Sequence, residues 1–412
     1  MTSILTNNSA MVALQTLKSI NANMSAAQSE ISTGKSISSA KDNSAIWAIS
    51  QVMESDVAGF SAISESLALG SSTVAVARTG AERITDLLNM VKEKVVASQE
   101  QNVDRDKVQT DIGKLRDQIS SIVNAAQFNG LNLLKGGGSV DILSSLDRAA
   151  NGSVTASSIS IGKNDLQNTA QVFGATAVTA AGDLITNSDV TALVNGTNTS
   201  TVVSFTSGGA AVGSSYGVAI TGAAANDFGT ALVQFDYVAR EGDTELDVSN
   251  AIYRKINSYL AENSVTGVSV ARNSTTGALT ISNDDTTAAN TITVAATENL
   301  NGTAGGGLEA LGTMDVTTDL GATQALADIE DLIQTSIRAA AEFGSGEGRI
   351  DIQTSFVAAL SDSMKAGIGA LVDANMEEAS ARLQALQVQQ QLGIQALSIA
   401  NQQPQNILAL FR

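Results

Sequence analysis

LQALQVQQQLGIQALSIANQQPQNILALF, residues 383–411, holds nine glutamines and no charged side chain. A bilayer span needs about 20 mostly apolar residues, and the glutamines interrupt the apolar run too often for that. A solvated tail would be rich in charge and poor in leucine and isoleucine. The stretch suits an amphipathic helix buried against protein, where unpaired charge is costly and neutral amides still find partners. Met376, Ala379, Leu383, Leu386, Leu397 and Ala400 lie on one heptad track. Val388, Leu392 and Ile399 are read as thickening that stripe, Gln390 and Gly393 as interrupting it. Pro404 is expected to end or kink the helix.

The opposite end of the chain is alike. Residues 1–29 carry one charge, Lys18. Ala10, Ala13, Leu14, Leu17, Ile20, Met24, Ala27 and Ile31 recur at steps of three and four, one helical stripe, and Ala10, Leu17, Met24 and Ile31 stand seven apart. The two ends are therefore expected to pair as a helical hairpin. Each arm is marginal alone, so lateral neighbours must supply further burial. The interface residues expected from this are Leu14, Leu17, Ile20, Met24, Ile31, Met376, Leu383, Leu386, Leu392, Leu397, Ile407 and Leu410.

Between the ends, residues 33–43 (TGKSISSAKDN) read as a connector. Residues 44–98 read as a second helical region with a candidate break at Gly70, and residues 104–126 as a third. Phe128-Asn129-Gly130 stops that helix in a turn. From Gly136 onward Thr, Ser, Ala, Gly and Val dominate, with strands expected at residues 157–161 and 202–205. Gly242-Asp243-Thr244 leads into a short helix through Val248, Ile252, Ile256 and Leu260, followed by strands at 265–271 and 278–282. After Gly305–Gly307 as a linker, helix resumes from Ala325, with a Gly-rich break at 344–348. The fold class is α+β: a mainly α core, terminal helices paired as a coiled-coil-like bundle, and a β-rich insert.

Composition narrows the function. With 23 Lys and Arg against 41 Asp and Glu the net charge is −18, which disfavours nucleic acid and anionic membrane surfaces as partners. Residues 165–319 alone hold 16 acidic and 4 basic side chains, marking the insert as the part that faces water. There is no histidine or cysteine, so imidazole and thiol chemistry and the usual zinc sites are excluded. The start, Met1-Thr2-Ser3-Ile4, lacks the marks of a cleaved signal, so if the protein leaves the cell another route is expected to carry it. Asp284-Asp285 and Glu377-Glu378 could pair as acid and base but have no pocket-like company, and 344–348 lacks the Lys-Ser/Thr ending of a phosphate loop. Trp47 is expected in the helical core. Sequons at Asn151, Asn195, Asn198, Asn273 and Asn301 are the chance yield of a Ser/Thr/Asn-rich insert. No enzyme, cofactor or metal is expected.

Three segments resemble bacterial flagellin. Residues 32–43 are similar to its connector between inner and outer core, 126–134 (AQFNGLNLL) to the turn after its third core helix, and 400–412 (ANQQPQNILALFR) to its carboxyl end. The Gln-rich ends and final Phe-Arg are more similar to alphaproteobacterial flagellins than to enteric ones. The 242–282 stretch resembles a module found in flagellin inserts. The resemblance implies an extracellular, self-assembling subunit of the flagellar filament. It implies export through the flagellar type III apparatus and ends that become helical on assembly. It also implies three domains: an inner-tube coiled coil (1–33 and 374–412), a helical core with a short β-hairpin (34–165 and 320–373), and a surface-exposed variable domain (166–319). Gly34, Lys35, Ala40, Lys41 and Asp42 fall in the connector. Implied partners are further copies in a helical homo-oligomer, an export chaperone, the filament cap, hook-junction proteins and other flagellins, with no nucleic acid and no membrane insertion. A hook–filament junction protein is the alternative; a coiled-coil adhesin would show longer unbroken heptads. In enteric flagellins a helix segment is recognised by the flagellin-sensing toll-like receptor. The matching stretch here, 88–98, includes Met90, Lys92, Glu93 and Lys94; Met90 stands where the pattern has arginine and Lys94 where it has leucine. Weak or absent receptor activation is expected.

Overall fold

A computed structural model describes residues 7–149, 153–177, 185–186, 191–194, 200–205, 212–223, 227–240, 242–285 and 290–410. The amino-terminal helices are α1 (Asn8–Thr33), α2 (Ser44–Ser98) and α3 (Arg105–Ala125). The strands that follow are β1 (Gln127–Phe128), β2 (Leu131–Asn132), β3 (Ser139–Arg148), β4 (Val154–Gly162), β5 (Thr176–Ala177), β6 (Ile185–Thr186), β7 (Thr191–Leu193), β8 (Ser200–Phe205), β9 (Ser215–Gly222) and β10 (Val233–Val238). After α4 (Glu245–Glu262) come β11 (Val268–Arg272), β12 (Leu279–Asn283) and β13 (Ile292–Leu300). The chain closes with α5 (Glu309–Thr313), α6 (Asp319–Val372) and α7 (Met376–Leu410). The fold is mainly α with a β-rich insert.

Two compact units divide the chain: residues 1–66, 145–157 and 353–412, and residues 67–144 and 158–352. In the first, α1 and α7 pair antiparallel over a small core of Ile20, Ala27 and Leu386, flanked by Met24 and Leu383. The early part of α2 meets the tips of β3 and β4 in the same unit: a Cβ on Gly59 would come within 2.9 Å of Leu146 Cδ1. Nearby, Arg148 Nε donates to Asp56 Oδ1 at 2.9 Å.

The second unit buries far more. Its helical part packs α2, α3 and α6 through Leu67, Val74, Ile84, Leu88, Ile112, Ile119, Ile333 and Phe343. Composition alone would let α2 and α6 cross a bilayer, yet in α2 residues Leu67, Val74, Ile84, Leu88, Val91 and Val95 are spent on the protein's own core. Both helices run unbroken through the glycines expected to stop them. Gly70 takes the side chain of Ile142, and Gly346 that of Ile161; a Cβ would sit 2.6 and 2.8 Å from the isoleucine carbons. These glycines stand where another segment of the same chain comes close. Between α2 and α6 a polar clasp is satisfied internally: Thr85 Oγ1 donates to Ser336 Oγ at 2.9 Å, and Ser336 Oγ to the Ala81 carbonyl at 3.0 Å. After α3, Asn129 (φ 49) and Gly130 (φ 81) turn the chain left-handed, and β1 pairs β2 as a two-residue hairpin.

Among the described residues the insert holds two antiparallel sheets packed with α4. β9 is central in the first, flanked by β10 and β13; β12 is flanked by β11 and β8 in the second. A capping box, Thr244 with Asp247, starts α4. Its stripe Val248, Ile252, Ile256 and Leu260 joins a core of 22 buried side chains among the described residues. The strands expected at 157–161 and 202–205 lie in β4 and β8, and the expected 265–282 hairpin is β11 with β12, starting at Val268 because Val265 still belongs to the turn after α4. The incoming and outgoing segments run side by side: Val172 N donates to Thr303 O at 2.8 Å, Gly306 N to Thr169 O at 2.9 Å and Gly307 N to Asp165 O at 3.0 Å. Gly305–Gly307 are thus hydrogen-bonded against the incoming segment rather than forming a loose linker. A Cβ on Gly306 would lie 2.0 Å from the Gln167 carbonyl oxygen. Arg240 reinforces the clasp, donating to the carbonyls of Gly305 and Gly306 at 3.0 and 2.8 Å. On α4, Arg254 pairs with Asp331 of α6, and Lys255 Nζ donates to Asp236 O at 2.7 Å; burial pushes the Lys255 amine below its ordinary value.

Candidate assembly interface

The candidate site is the hairpin of α1 and α7 with the connector at its closed end. Asn7 caps α1, its Oδ1 accepting from Ala10 N at 3.1 Å. Asn375 caps α7, accepting from Glu377 N at 3.2 Å. That accounts for Glu377-Glu378 as first-turn acids at a helix N-terminus rather than an acid–base pair.

Register along the seam is marked at three heights. Asn7 Nδ2 donates to Ala400 O at 2.8 Å, Gln390 Nε2 to Asn21 Oδ1 at 2.7 Å, and Arg382 lies 3.9 Å from Glu30. Gln390 and Gly393 therefore belong to the seam and do not interrupt it. Gly393 receives Leu17: a Cβ there would be 3.2 Å from Leu17 Cδ1 and 3.8 Å from Ile20 Cδ1.

The expected interface residues divide into two sets. Ile20 and Leu386 are buried on the seam with Met24 and Leu383 against them, and Leu17 sits over Gly393. Ile31 and Leu397 are half-buried. Leu14, Met376 and Leu392 are not brought in; they are 59%, 44% and 59% exposed. Ile407 and Leu410 fall in α7, but their side chains lie outside the described residues.

Val388, Leu392 and Ile399 do not thicken the seam. At about 100° per residue they lie on the side of α7 opposite Leu386, and they are 56%, 59% and 66% exposed. Met11 and Val12 on α1 and Ile394 on α7 are equally open, at 62%, 64% and 55%. The sequence signal for these exposed positions was present as apolar residues off the heptad track. Nor does the helix end at Pro404: α7 continues to Leu410.

At the connector, Gly34 adopts φ 70 and its N–H caps Glu30 O. Residues 34–37 then zip to the junction of α6 and α7: Ser36 N donates to Val372 O at 2.7 Å and Ala374 N to Gly34 O at 2.9 Å. Lys35 Nζ reaches Glu54 at 3.0 Å. Asp42 Oδ2 accepts from Ser39 N at 2.9 Å and Ser38 N at 3.2 Å; these bonds, Ser39 first, hold its carboxyl below the ordinary value. Ala40 and Lys41 are exposed, and Trp47 is half-buried.

In the 88–98 segment Leu88 is buried and Met90 is 48% exposed. Lys92 pairs with Glu330 and Lys94 with Asp111 at 3.0 Å; Glu93 is exposed. Asn273 and Asn301 sit in exposed turns, while Asn151, Asn195 and Asn198 lie outside the described residues. No group of three acidic side chains positioned to hold a metal occurs among the described residues.

Comparison with known proteins gives the class. The family model described as the bacterial flagellin N-terminal helical region matches residues 4–139, and that of the C-terminal helical region matches 326–411. Flagellin A of Rhizobium meliloti is 38% identical over 426 residues, covering all of both chains. Flagellin B of the same organism is 36% identical over 423 residues, again all of both. Flagellin FljM of Caulobacter vibrioides is 28% identical, covering all of this chain and 98% of its own. The flagellar hook-associated protein-3 of Legionella pneumophila aligns with 78% of this chain and 98% of its own at TM-score 0.38 and 12% identity, too loosely to carry weight. The chain belongs to the bacterial flagellin family. It is a structural, extracellular protein of the flagellum and not an enzyme.

Proposed function

We propose that the chain is the repeating subunit of a flagellar filament and that its ends finish folding only among copies of itself. The observation that supports this most is the set of exposed apolar side chains on the hairpin away from its seam. Met11, Val12, Leu14, Val388, Leu392, Ile394 and Ile399 are each more than half exposed, in a part of the chain almost without charge. Single exposed apolar residues are ordinary; seven on one small hairpin are a surface meant to be covered.

The seam itself is thin. Among the described residues its core holds three buried side chains, each worth about 1.5–3 kcal/mol at most and less for the alanine. Helices of this kind draw their stability from packing, and a further face buried by neighbours supplies it.

Within this reading residues 1–33 and 374–412 form the inner-tube domain, 34–165 and 320–373 the helical core, and 166–319 the variable outer domain. Export through the flagellar type III apparatus with a chaperone, addition beneath a cap and attachment to hook-junction proteins follow from the same reading. So does weak activation of the flagellin-sensing receptor, because Met90 and Lys94 replace the arginine and leucine of the enteric pattern; a reporter-cell dose response equal to that of an enteric flagellin would count against it. The test of function is electron microscopy of the purified protein after salt-induced assembly. Long regular filaments are expected; particles that stay single, or stop at short collars, would refute it.

A further inference from the structure

An α-helix bonds each N–H to the carbonyl four residues earlier. Pro404 has no N–H, so the carbonyl of Ala400 loses its helical partner, and a proline inside a helix costs about 3 kcal/mol. The helix nonetheless runs on through Leu410. The missing donor comes from the other end of the chain: Asn7 Nδ2 lies 2.8 Å from Ala400 O, across 393 residues of sequence. The same carboxamide caps α1 through Oδ1, accepting from Ala10 N. One side chain thus starts one helix and mends the other.

We propose that Asn7 is a positioning residue that carries α7 past Pro404, so that the last turn and a half, residues 405–410, is held in the helix only when the head of the chain is docked. The chemistry selects asparagine. Aspartate, serine and threonine also supply a capping acceptor, but aspartate has no donor and the hydroxyls are shorter by one atom. A carbonyl left without a partner in this uncharged seam would be costly. The pair also fixes register, since a shift of one residue would present Asn7 with a carbonyl already bonded within α7.

The test is a double-mutant cycle read by hydrogen exchange on full-length variant chains, isotope-labelled and co-assembled as a minor fraction into salt-induced parental filaments. Asn7→Ser keeps the cap and loses the reach; Asn7→Asp keeps the acceptor and loses the donor. In either variant the amides of residues 405–410 should exchange about tenfold faster than in the parent. In the Pro404→Ala background, where residue 404 again donates to Ala400, the same Asn7 substitutions should change those amides by less than about twofold. Unchanged exchange in the single variants, or an equal loss in both backgrounds, would overturn the proposal. The inference rests on the filament reading: absence of filaments from the parent would count against that reading, and unchanged exchange within filaments against this inference, so the two failures are separable.

Discussion

Leu17 packs into the space left by Gly393, its Cδ1 within 3.2 Å of where a Cβ would stand. The contact puts the most flexible residue type of α7 opposite one of the larger side chains of α1. It is the knob-and-hole logic of a coiled coil with the hole made by a missing side chain. In an open helix glycine costs about 1 kcal/mol against alanine; here that loss is offset by closer approach. Gly393→Leu should overfill the seam, at a cost of about 1–3 kcal/mol, and raise the protein concentration needed for salt-induced assembly about tenfold or more. Sedimentation of assembled material checks this, and parental assembly by the variant would show that the close approach is dispensable.

The two faces of the hairpin separate by mutation. Leu386→Asp places a charge in the buried seam, and Leu17→Asp one beside Gly393; either should abolish filaments. Leu392→Asp places it on the outer face, where Leu392 is 59% exposed in the single subunit. That variant should also fail to assemble while its thermal unfolding in dilute solution stays within about 0.5 kcal/mol of the parent. In all three the insert should remain folded, seen as unchanged protection of β9 and β13 amides. Normal filaments from Leu392→Asp would remove the outer face from the account.

Acid should loosen the connector. Asp42 is held below the ordinary carboxylate value by Ser39 and Ser38, and Glu54 below its own chiefly by the hydrogen bond from Lys35. A depressed folded value means that each group stabilises the fold above the unfolded value of about 4, and that the contribution is lost as pH falls through the lower folded value. Limited proteolysis should therefore cut residues 35–43 increasingly below about pH 4. Asp42→Asn should show the faster cleavage already at neutral pH; a cutting rate indifferent to both changes would refute the role of this carboxylate.

The clasp between residues 165–172 and 303–308 predicts where the insert can be removed. Deleting residues 174–302 leaves the ladder from Val172 to Thr303 and should still permit assembly with an altered outer surface. The wider deletion of residues 174–319 also removes Leu308, Leu311 and Val316, which are buried, and Asp319, the partner of Arg105. It should assemble less well. Electron micrographs of the two variants side by side test this, and complete loss in the narrower one would mean that the insert contributes essential contacts.

Helices were legible because their apolar residues recur at helical spacing, as in Leu17, Ile20, Met24 or Val248, Ile252, Ile256. The errors fall on residues whose role depends on a distant partner. Gly70, Gly346 and Gly393 look like breaks from local propensity; Ile142, Ile161 and Leu17 make them contact sites, and nothing near them in sequence says so. Pro404 reads as a stop because the residue that mends it is Asn7. The outer row Val388, Leu392 and Ile399 was visible as apolar residues, but its side of the helix depends on register against α1, which neutral pairs such as Asn21 with Gln390 fix. In the insert, α4 and the hairpin that follows were legible from capping and turn residues. The pairing of β13 with β9 was not, because it joins segments some 75 residues apart (Ile292↔Gly222, Asn299↔Ser215).

The most direct test compares hydrogen exchange in dilute monomer and in salt-assembled protein, amide by amide, along α1 and α7. Residues around Leu14 and Leu392 should exchange rapidly in the monomer and at least about a hundredfold more slowly after assembly, while β9 is equally protected in both. Equal and strong protection of both terminal helices in the monomer would contradict the claim that they complete their folding among copies of the chain.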